Sequence, residues 1–445
     1  MTNQNAITSS RGTGEPIKPW RRLISLLLSF ALFTLLTACG PRTPLDTPSI
    51  PAASSTASPD SRPLRMLWYG NAAEEALLRQ QLADANLNVE LQVVPMTQLA
   101  ETINELTTSG KTPDVVRTFD PASNLAALQP VPDVDVDDYL VGLDWAMLRA
   151  KDVVAVPYTA KTSITWINAD LFAAGQVTLP TTQSPWKSWD RMLADAARAV
   201  ATAEHQPSQP LAALDESTPL PIDAYLWQHG LSFYDHKRAG SAWRVEAGAR
   251  TLTELRTGVE RHQLADTFSL DETQNPAKPA KSAQRLFEAG ELPILLTDSN
   301  YRPTTTFNAV ALPDPCQERC GPVPAADYLV NLSGRPAANQ LITSLSTPAA
   351  QAQRAEIGQL PTRRQVLAEL SQWPAERGDA ITKLAAAELV LVPPAALASG
   401  FSPARPAVDQ ATSAALADFF AGSMTAQQTS DVIGKATVRA LQRGQ

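Results

Sequence analysis

From Leu64 onward the apolar positions of the chain switch between two periods. Leu64 to Tyr69 is a short, nearly continuous apolar run of strand length. Asn71, with Glu74 three residues on, then offers a capping-box-like start to a helix whose Leu78, Leu82 and Ala85 share one face. Val89, Leu91 and Val93 alternate at the strand period of two. Thr97 is placed to cap a second helix carrying Leu99, Ile103 and Leu106 on one side, Gly110 to end it, and Asp114 to Phe119 to form a third strand. Strand, helix, strand, helix, strand predicts a parallel sheet, because parallel neighbours need a crossover between them.

A parallel sheet takes its ligand in the crevice beyond the carboxyl ends of its strands. Here those ends read Trp68-Tyr69-Gly70-Asn71 and Phe119-Asp120. Aromatics, a permissive glycine, an amide and a carboxylate suit a polar, hydroxyl-rich ligand. Trp68 as a core residue and Asp120 as the cap of a following helix are the competing readings.

Later segments continue the helical pattern. Asp190 to Glu204 places Leu193, Ala196, Ala197 and Val200 at helical spacing, Pro221 to His229 reads as a short helix closed by Gly230, and Gln410 to Gln442 has the same character. No internal repeat is found. About 380 residues follow Arg62, more than one core usually accommodates, so two domains are expected.

The N-terminal segment has a different logic. Arg11, Lys18, Arg21 and Arg22 lead into an apolar run from Leu23 to Leu36, which is signal-peptide anatomy. At 14 residues it is shorter than the roughly 20 needed to cross a bilayer. Leu36-Thr37-Ala38-Cys39 resembles the bacterial lipobox, which implies cleavage of residues 1–38 and lipidation of Cys39. At about 0.8 kcal/mol per buried methylene, two or three acyl chains hold a domain stably at a membrane. Residues 39–62 then read as the lipidated cysteine and a disordered tether, since Gly40 to Arg62 is rich in Pro, Ser and Thr and has little to bury.

Removing the four basic and one acidic residues of the leader leaves 33 basic against 44 acidic side chains, a formal charge of −11. A net-acidic chain without basic blocks argues against nucleic acid as a partner. Cys316 and Cys320 are then the remaining thiols, in a Pro-rich stretch. A small disulfide loop is the favoured reading for an exported protein, beside a redox pair or half of a metal site.

Four passages carry a family resemblance, and they do so in order and spacing. MLWYGNAAEEALLRQQLADANLNVELQVVP is followed by SGKTPDVVRTFD, by VVAVPYTAKTSITWINADLFAAG with Trp189-Asp190 opening the next helix, and by LFEAGELPILLTDSNYRP, with SGFSPARPAV before the last helices. Together they resemble the extracytoplasmic solute-binding proteins of ABC importers, in the sugar-binding group similar to maltose-binding protein. The resemblance covers residues 63–445. It implies an α/β, two-lobed periplasmic-binding-protein-like fold of type II, with discontinuous lobes and a ligand cleft between them. Lobe one is expected at about 63–158 and 327–370, and lobe two at about 159–326 and 371–445.

The resemblance also implies a site. Asn71 and Asp120 fall at strand ends where family members contact sugar hydroxyls. Trp227 and Tyr301 fall near positions that supply stacking aromatics, and Arg405 lies in a passage bordering the cleft. Lys161 stands where maltose-binding protein has a carboxylate. The implied partners are a small solute, most simply a sugar, the permease subunits of an ABC importer, and membrane lipid through acylated Cys39. The protein is expected outside the cytoplasmic membrane, lipid-anchored and monomeric, without cofactor or metal.

Enzyme chemistry finds little support. The sequence holds no GxSxG elbow, HExxH helix or P-loop. His205, His229, His236 and His262 follow no ligand spacing and read as surface or helix-end residues. Asp133, Asp135, Asp137 and Asp138 lack the glycine and terminal glutamate of an EF-hand loop. Two alternatives stay open: a lipid-anchored hydrolase acting on a carbohydrate, and a transport-inactive relative working through protein contacts.

Overall fold

The computed structural model describes residues 62–121, 127–149, 151–181, 184–201, 209–215, 218–235, 240–261, 263–265, 282–370, 372–374, 376–391, 402 and 404–444. The expected leader, Cys39 and the tether as far as Ser61 lie outside these residues.

The opening alternation of elements folds as the pattern predicts. Strand β1 (Leu64–Trp68) is followed by the helix Ala72–Asp84, β2 (Val89–Val93), the helix Leu99–Thr108 and β3 (Val115–Thr118). The three strands are parallel in the order β2-β1-β3, with Trp68 opposite Val93 and Leu67 opposite Val116. Asn71 caps the first helix, its side chain accepting from the Glu74 N–H at 2.9 Å. Thr97 corrects the expectation for the second. It lies inside a 3₁₀ turn, Met96–Gln98, and the helix begins without a side-chain cap.

Two short strands, β4 (Leu148–Arg149) and β5 (Asp152–Val153), form a small hairpin. The chain then makes its decisive crossing. β6 (Ala155–Lys161) joins the first sheet, and after Thr162 alone, β7 (Ser163–Asn168) enters a second. That sheet has the order β10-β7-β9-β8, with β8 Ala212–Leu214, β9 Ile294–Asp298 and β10 Ala309–Leu312. The return through residues 313–324 delivers β11 (Ala325–Asn331), which pairs antiparallel with β3 and β6 and completes the five-stranded order β2-β1-β3-β11-β6. The first sheet thus reaches three residues beyond the boundary expected after Tyr158, and β11 begins two residues before Asp327.

Each sheet supports its own lobe. In the second, the strand period of two sends Ile164, Trp166 and Leu295 into one apolar cluster and Ile167, Ile294 and Leu296 into the other, so both faces are covered. On the second side the helices Val245–Glu260, Arg405–Phe420 and Ala426–Gly444 pack together. The expected helical tail is therefore two helices, broken near Gly422, whose φ of +80° suits a glycine.

Candidate ligand site

The carboxyl ends of β1, β2 and β3 lie side by side: Trp68 is opposite Val93, and Leu67, just before it, is opposite Val116, just before Arg117. Trp68 is wholly buried, which settles it as a core residue. The chain then turns outward at exposed Gly70 and Asn71. A Cβ on Gly70 would stand 2.6 Å from Glu74 Oε2, 3.0 Å from Trp68 Nε1 and 3.2 Å from Arg117 Nη1. Only glycine leaves that notch open.

Arg117 organises the floor. Its Nη1 donates to Glu74 Oε2 at 2.6 Å and to the Tyr69 carbonyl at 2.8 Å, and its Nη2 to Asp327 Oδ2 at 2.6 Å. The guanidinium lies 4.6 Å from the ring centres of both Trp68 and Tyr69 and 5.3 Å from that of Tyr158. Burial alone would lower its pKa, but Asp327 first, together with Tyr69, Glu74 and Tyr158, more than offsets that and holds it charged. Burial likewise works against Asp327, yet the Lys161 and Arg117 charges keep its carboxyl below the usual range. Burial, then Asp327, pushes the Tyr69 phenol well up. Arg117 escaped the sequence reading, where its one signal is a lone charge in the apolar run Val115-Val116-Arg117-Thr118-Phe119.

Lys161 ends β6 at the crossing. Its ammonium is 3.9 Å from Asp327 Oδ1, and its side chain keeps 22% of its exposure. On the far side of Thr162, Asp298 ends β9 opposite Ser163. Burial raises the Asp298 carboxyl, and the Lys161 charge opposes the rise. Asp327, Lys161 and Asp298 therefore step from the first sheet to the second across one residue of crossing chain. Tyr301 follows closely, its N–H donating to the Asp298 carbonyl at 3.2 Å and its hydroxyl to Glu288 Oε1 at 2.9 Å.

Of the residues expected at the site, Asn71, Asp120, Lys161 and Tyr301 lie at these strand ends. Asn71 is partly committed: besides capping the helix, its amide donates to Glu74 Oε1 at 3.2 Å. Asp120 is half-buried just beyond β3, its N–H donating to Thr118 Oγ1 at 3.0 Å.

Two expected residues, Trp227 and Arg405, have their side chains committed inside the fold. Trp227 is 3% exposed, its indole N–H donates to the Cys320 carbonyl at 3.3 Å, and Arg319 sits 4.3 Å from its ring centre. It lies on the helix Leu220–Gln228, every residue of which is buried, and packs that helix against the loop closed by the Cys316–Cys320 disulfide. Arg405 is 4% exposed and ion-paired with Asp223 and Asp409. A guanidinium withdrawn from water needs such carboxylates, and these occupy it inside the second lobe.

The acidic run also has internal uses: Asp135 accepts from the Asp137 N–H, and Asp138 pairs with Arg363 at 2.7 Å. Among the described residues no cluster of three or more metal-ligating side chains occurs. His229 ends the helix Leu220–Gln228, with Nδ1 2.7 Å from the Tyr225 carbonyl, while His205, His236 and His262 lie outside the described residues.

The model of a family described as bacterial extracellular solute-binding protein matches residues 78–301. No curated protein matches the chain in sequence. Among solved structures, the GacH receptor of Streptomyces glaucescens GLA.O, determined unliganded and with acarbose, superimposes with a TM-score of 0.65 at 18% identity over 85% of this chain and 98% of its own. Maltose-bound MalE3 of T. maritima gives 0.64 at 16% identity, covering 84% and 98%. The sugar-binding protein MalE of Xanthomonas citri gives 0.63 at 18% identity, covering 86% and 98%. At these identities the likeness is one of fold: two α/β lobes of the periplasmic-binding type.

Proposed function

Since the chain belongs to the bacterial extracellular solute-binding proteins, we propose that it captures a carbohydrate outside the cytoplasmic membrane and delivers it to the permease subunits of an ABC importer. In this reading the protein is a monomer held at the membrane by lipid on Cys39. It breaks no bond itself, and the energy of transport comes from the partner ATPase.

The observation that carries the reading is the crossing at Thr162. It sets Asp327 and Lys161 on one lobe against Asp298 on the other, so a solute lodged there touches both lobes at once. A solute that contacts both lobes binds the closed arrangement better than the open one, and that difference in affinity is what closes a hinge. Lys161 donates to a sugar hydroxyl, Asp120 and Asn71 contact hydroxyls from the first lobe, and Tyr301 borders the solute from the second. The lobes divide at Thr162 and within residues 313–324. Sugar recognition in the structural neighbours, which bind acarbose and maltose, supports the choice of solute class.

Calorimetry and thermal shift with a panel of neutral saccharides, uronic acids, polyols and amino compounds test it. A bound saccharide raises Tm in proportion to RT ln(1 + [L]/Kd). Release of reducing ends during the incubation, or no response to any saccharide, overturns the proposal.

A further inference from the structure

The turn that follows β9 does more than carry Asp298 and Tyr301 to the site. Ser299, between them, donates its N–H to the Thr162 carbonyl at 2.7 Å, and its hydroxyl accepts from the Thr162 N–H at 3.2 Å. The one residue on which the chain passes between the sheets is thus held by this turn through both its backbone groups. Arg302 closes the turn, its Nη1 donating to the Ser299 carbonyl at 2.6 Å and to the Tyr301 carbonyl at 2.9 Å.

The other arm of the Arg302 guanidinium reaches away from that turn. Nη2 is ion-paired with Asp379 and lies 3.5 Å from Thr382 Oγ1, whose hydroxyl also donates to Asp379 Oδ2 at 3.2 Å. Asp379 stands directly before the helix Ala380–Leu391 and accepts from the Ile381 N–H at 3.0 Å. That helix packs against both the helix Arg364–Leu370 and β10. Gly358 lies against the pair: a Cβ there would stand 3.0 Å from Arg302 Nη2 and 3.5 Å from Asp379 Oδ2. It belongs to the first lobe, two residues before Leu360, whose carbonyl accepts from the Ala160 N–H of β6 at 2.9 Å. One arginine therefore touches the turn bearing two site residues, the partner of the crossing residue, and the backbone of the opposite lobe.

We propose that Arg302 and Asp379 form a latch, a positioning pair outside the solute site that sets the angle between the lobes through the turn at residues 298–302. A guanidinium carries its donors in one rigid plane, so fixing Nη1 to the turn and Nη2 to Asp379 fixes the direction of the turn relative to Gly358. When the lobes swing about Thr162, Arg302 must part from Gly358, from Asp379 or from both. The pair thereby enters the free-energy difference between the two arrangements, the quantity that solute binding works against. Its side chains are 34% and 28% exposed, so it biases that equilibrium without freezing it. The inference goes beyond the carbohydrate reading and stands on the two-lobed fold, whatever the solute.

The test needs no solute. Spin labels at Glu101→Cys in the first lobe and Thr253→Cys in the second, both exposed positions, report the distance between lobes by pulsed electron resonance. The full mature chain carries them with Cys39→Ala, the other two cysteines being joined in the disulfide. The expected result is one dominant distance while the latch is intact. Arg302→Gln and Asp379→Asn each raise the share of molecules at other distances about fivefold, as a half-exposed ion pair allows. The double variant goes no further than either single one, because the two residues act as a unit. Asp379→Asn, nearly isosteric with the native residue, decides alone if Arg302→Gln does not fold. Urea midpoints accompany each variant, since a loss of stability by itself leaves the native distance in place. Unchanged distances in the single variants, or additive effects in the double, overturn the latch. A protein that binds no saccharide sinks the carbohydrate reading and leaves the latch standing.

Discussion

Asp314, on the connection returning from the second sheet to the first, accepts a hydrogen bond from Ser163, the first residue of the strand that enters the second sheet. Thr165 of the same strand donates to its other oxygen at 2.8 Å. One buried carboxylate therefore ties the outgoing and returning chain together beside the crossing. Its hydrogen-bond partners are hydroxyls rather than cations, so burial pushes its pKa from 3.8 to about 6, against the two hydrogen bonds. Glu388, on the helix Ala380–Leu391, is raised by burial and by Asp314 from 4.5 to about 7.

The sign of the pH dependence follows. Between about pH 4 and 7 the folded protein holds protons on these carboxyls that the unfolded chain has released, so stability falls as pH rises through that window and levels off above it. Asp314→Asn removes its own part of this slope and leaves the part due to the burial of Glu388. At pH 8 the variant gains at most ~3 kcal/mol from the absent buried charge, less about 1 kcal/mol for the hydroxyl that loses its acceptor. Urea melts of both proteins from pH 4 to 8 measure the difference, and parallel profiles would show that Asp314 is ionised throughout.

Arg117→Met should be among the most damaging single changes in the first lobe. It leaves Glu74 and Asp327 without their shared cation, and Asp327 is wholly buried. Removing one member of a buried ion pair costs about 3–5 kcal/mol. Chemical denaturation should show a loss of this size; a loss under 1 kcal/mol would mean that the carboxylates find water or protonate freely.

Gly70→Ala tests the notch. The added methyl meets Glu74 Oε2 at 2.6 Å, and that oxygen cannot swing away cheaply because Arg117 holds it at 2.6 Å. Overpacking of this kind costs about 1–3 kcal/mol. Denaturation midpoints give the stability loss, and saccharide affinity should fall with it, since the methyl fills the space in front of the Trp68 N–H.

How much of this was legible in the chain depends on the range of the interaction. The β1-to-β3 unit could be read because its strands are short, punctuated by Asn71 and Gly110, and neighbours in sequence. β7 to β10 could not, because β7 and β9 are almost wholly buried, show no alternation, and pair across more than a hundred residues. The same distinction runs through the site. Asn71 announces itself by its local cap, whereas the partnership of Lys161 with Asp327 and Asp298 exists only once β11 and β9 flank the crossing. The burial of Trp227 and Arg405 was not legible, because residue type shows what a side chain could do, not which surface it reaches, and the helix of Trp227, buried at every position, has no pattern to reveal a preferred side.

That distinction separates two variants by their readouts. Lys161→Met removes a partly exposed ammonium whose neighbouring carboxylates, Asp327 and Asp298, stay in place. Asp327 keeps its Arg117 partner but loses the Lys161 charge that does most to hold its carboxyl down, so the cost to the fold should stay below the ~3–5 kcal/mol of Arg117→Met, while saccharide affinity falls about tenfold for a lost charge-assisted hydrogen bond. Trp227→Ala should do the reverse. It empties a buried site beneath Arg319 and the disulfide loop and costs about 3–5 kcal/mol in stability, with affinity nearly unchanged at temperatures where the variant is folded. Melting curves paired with calorimetry distinguish the two. If Trp227→Ala instead lost affinity at wild-type stability, the indole would belong to the ligand after all.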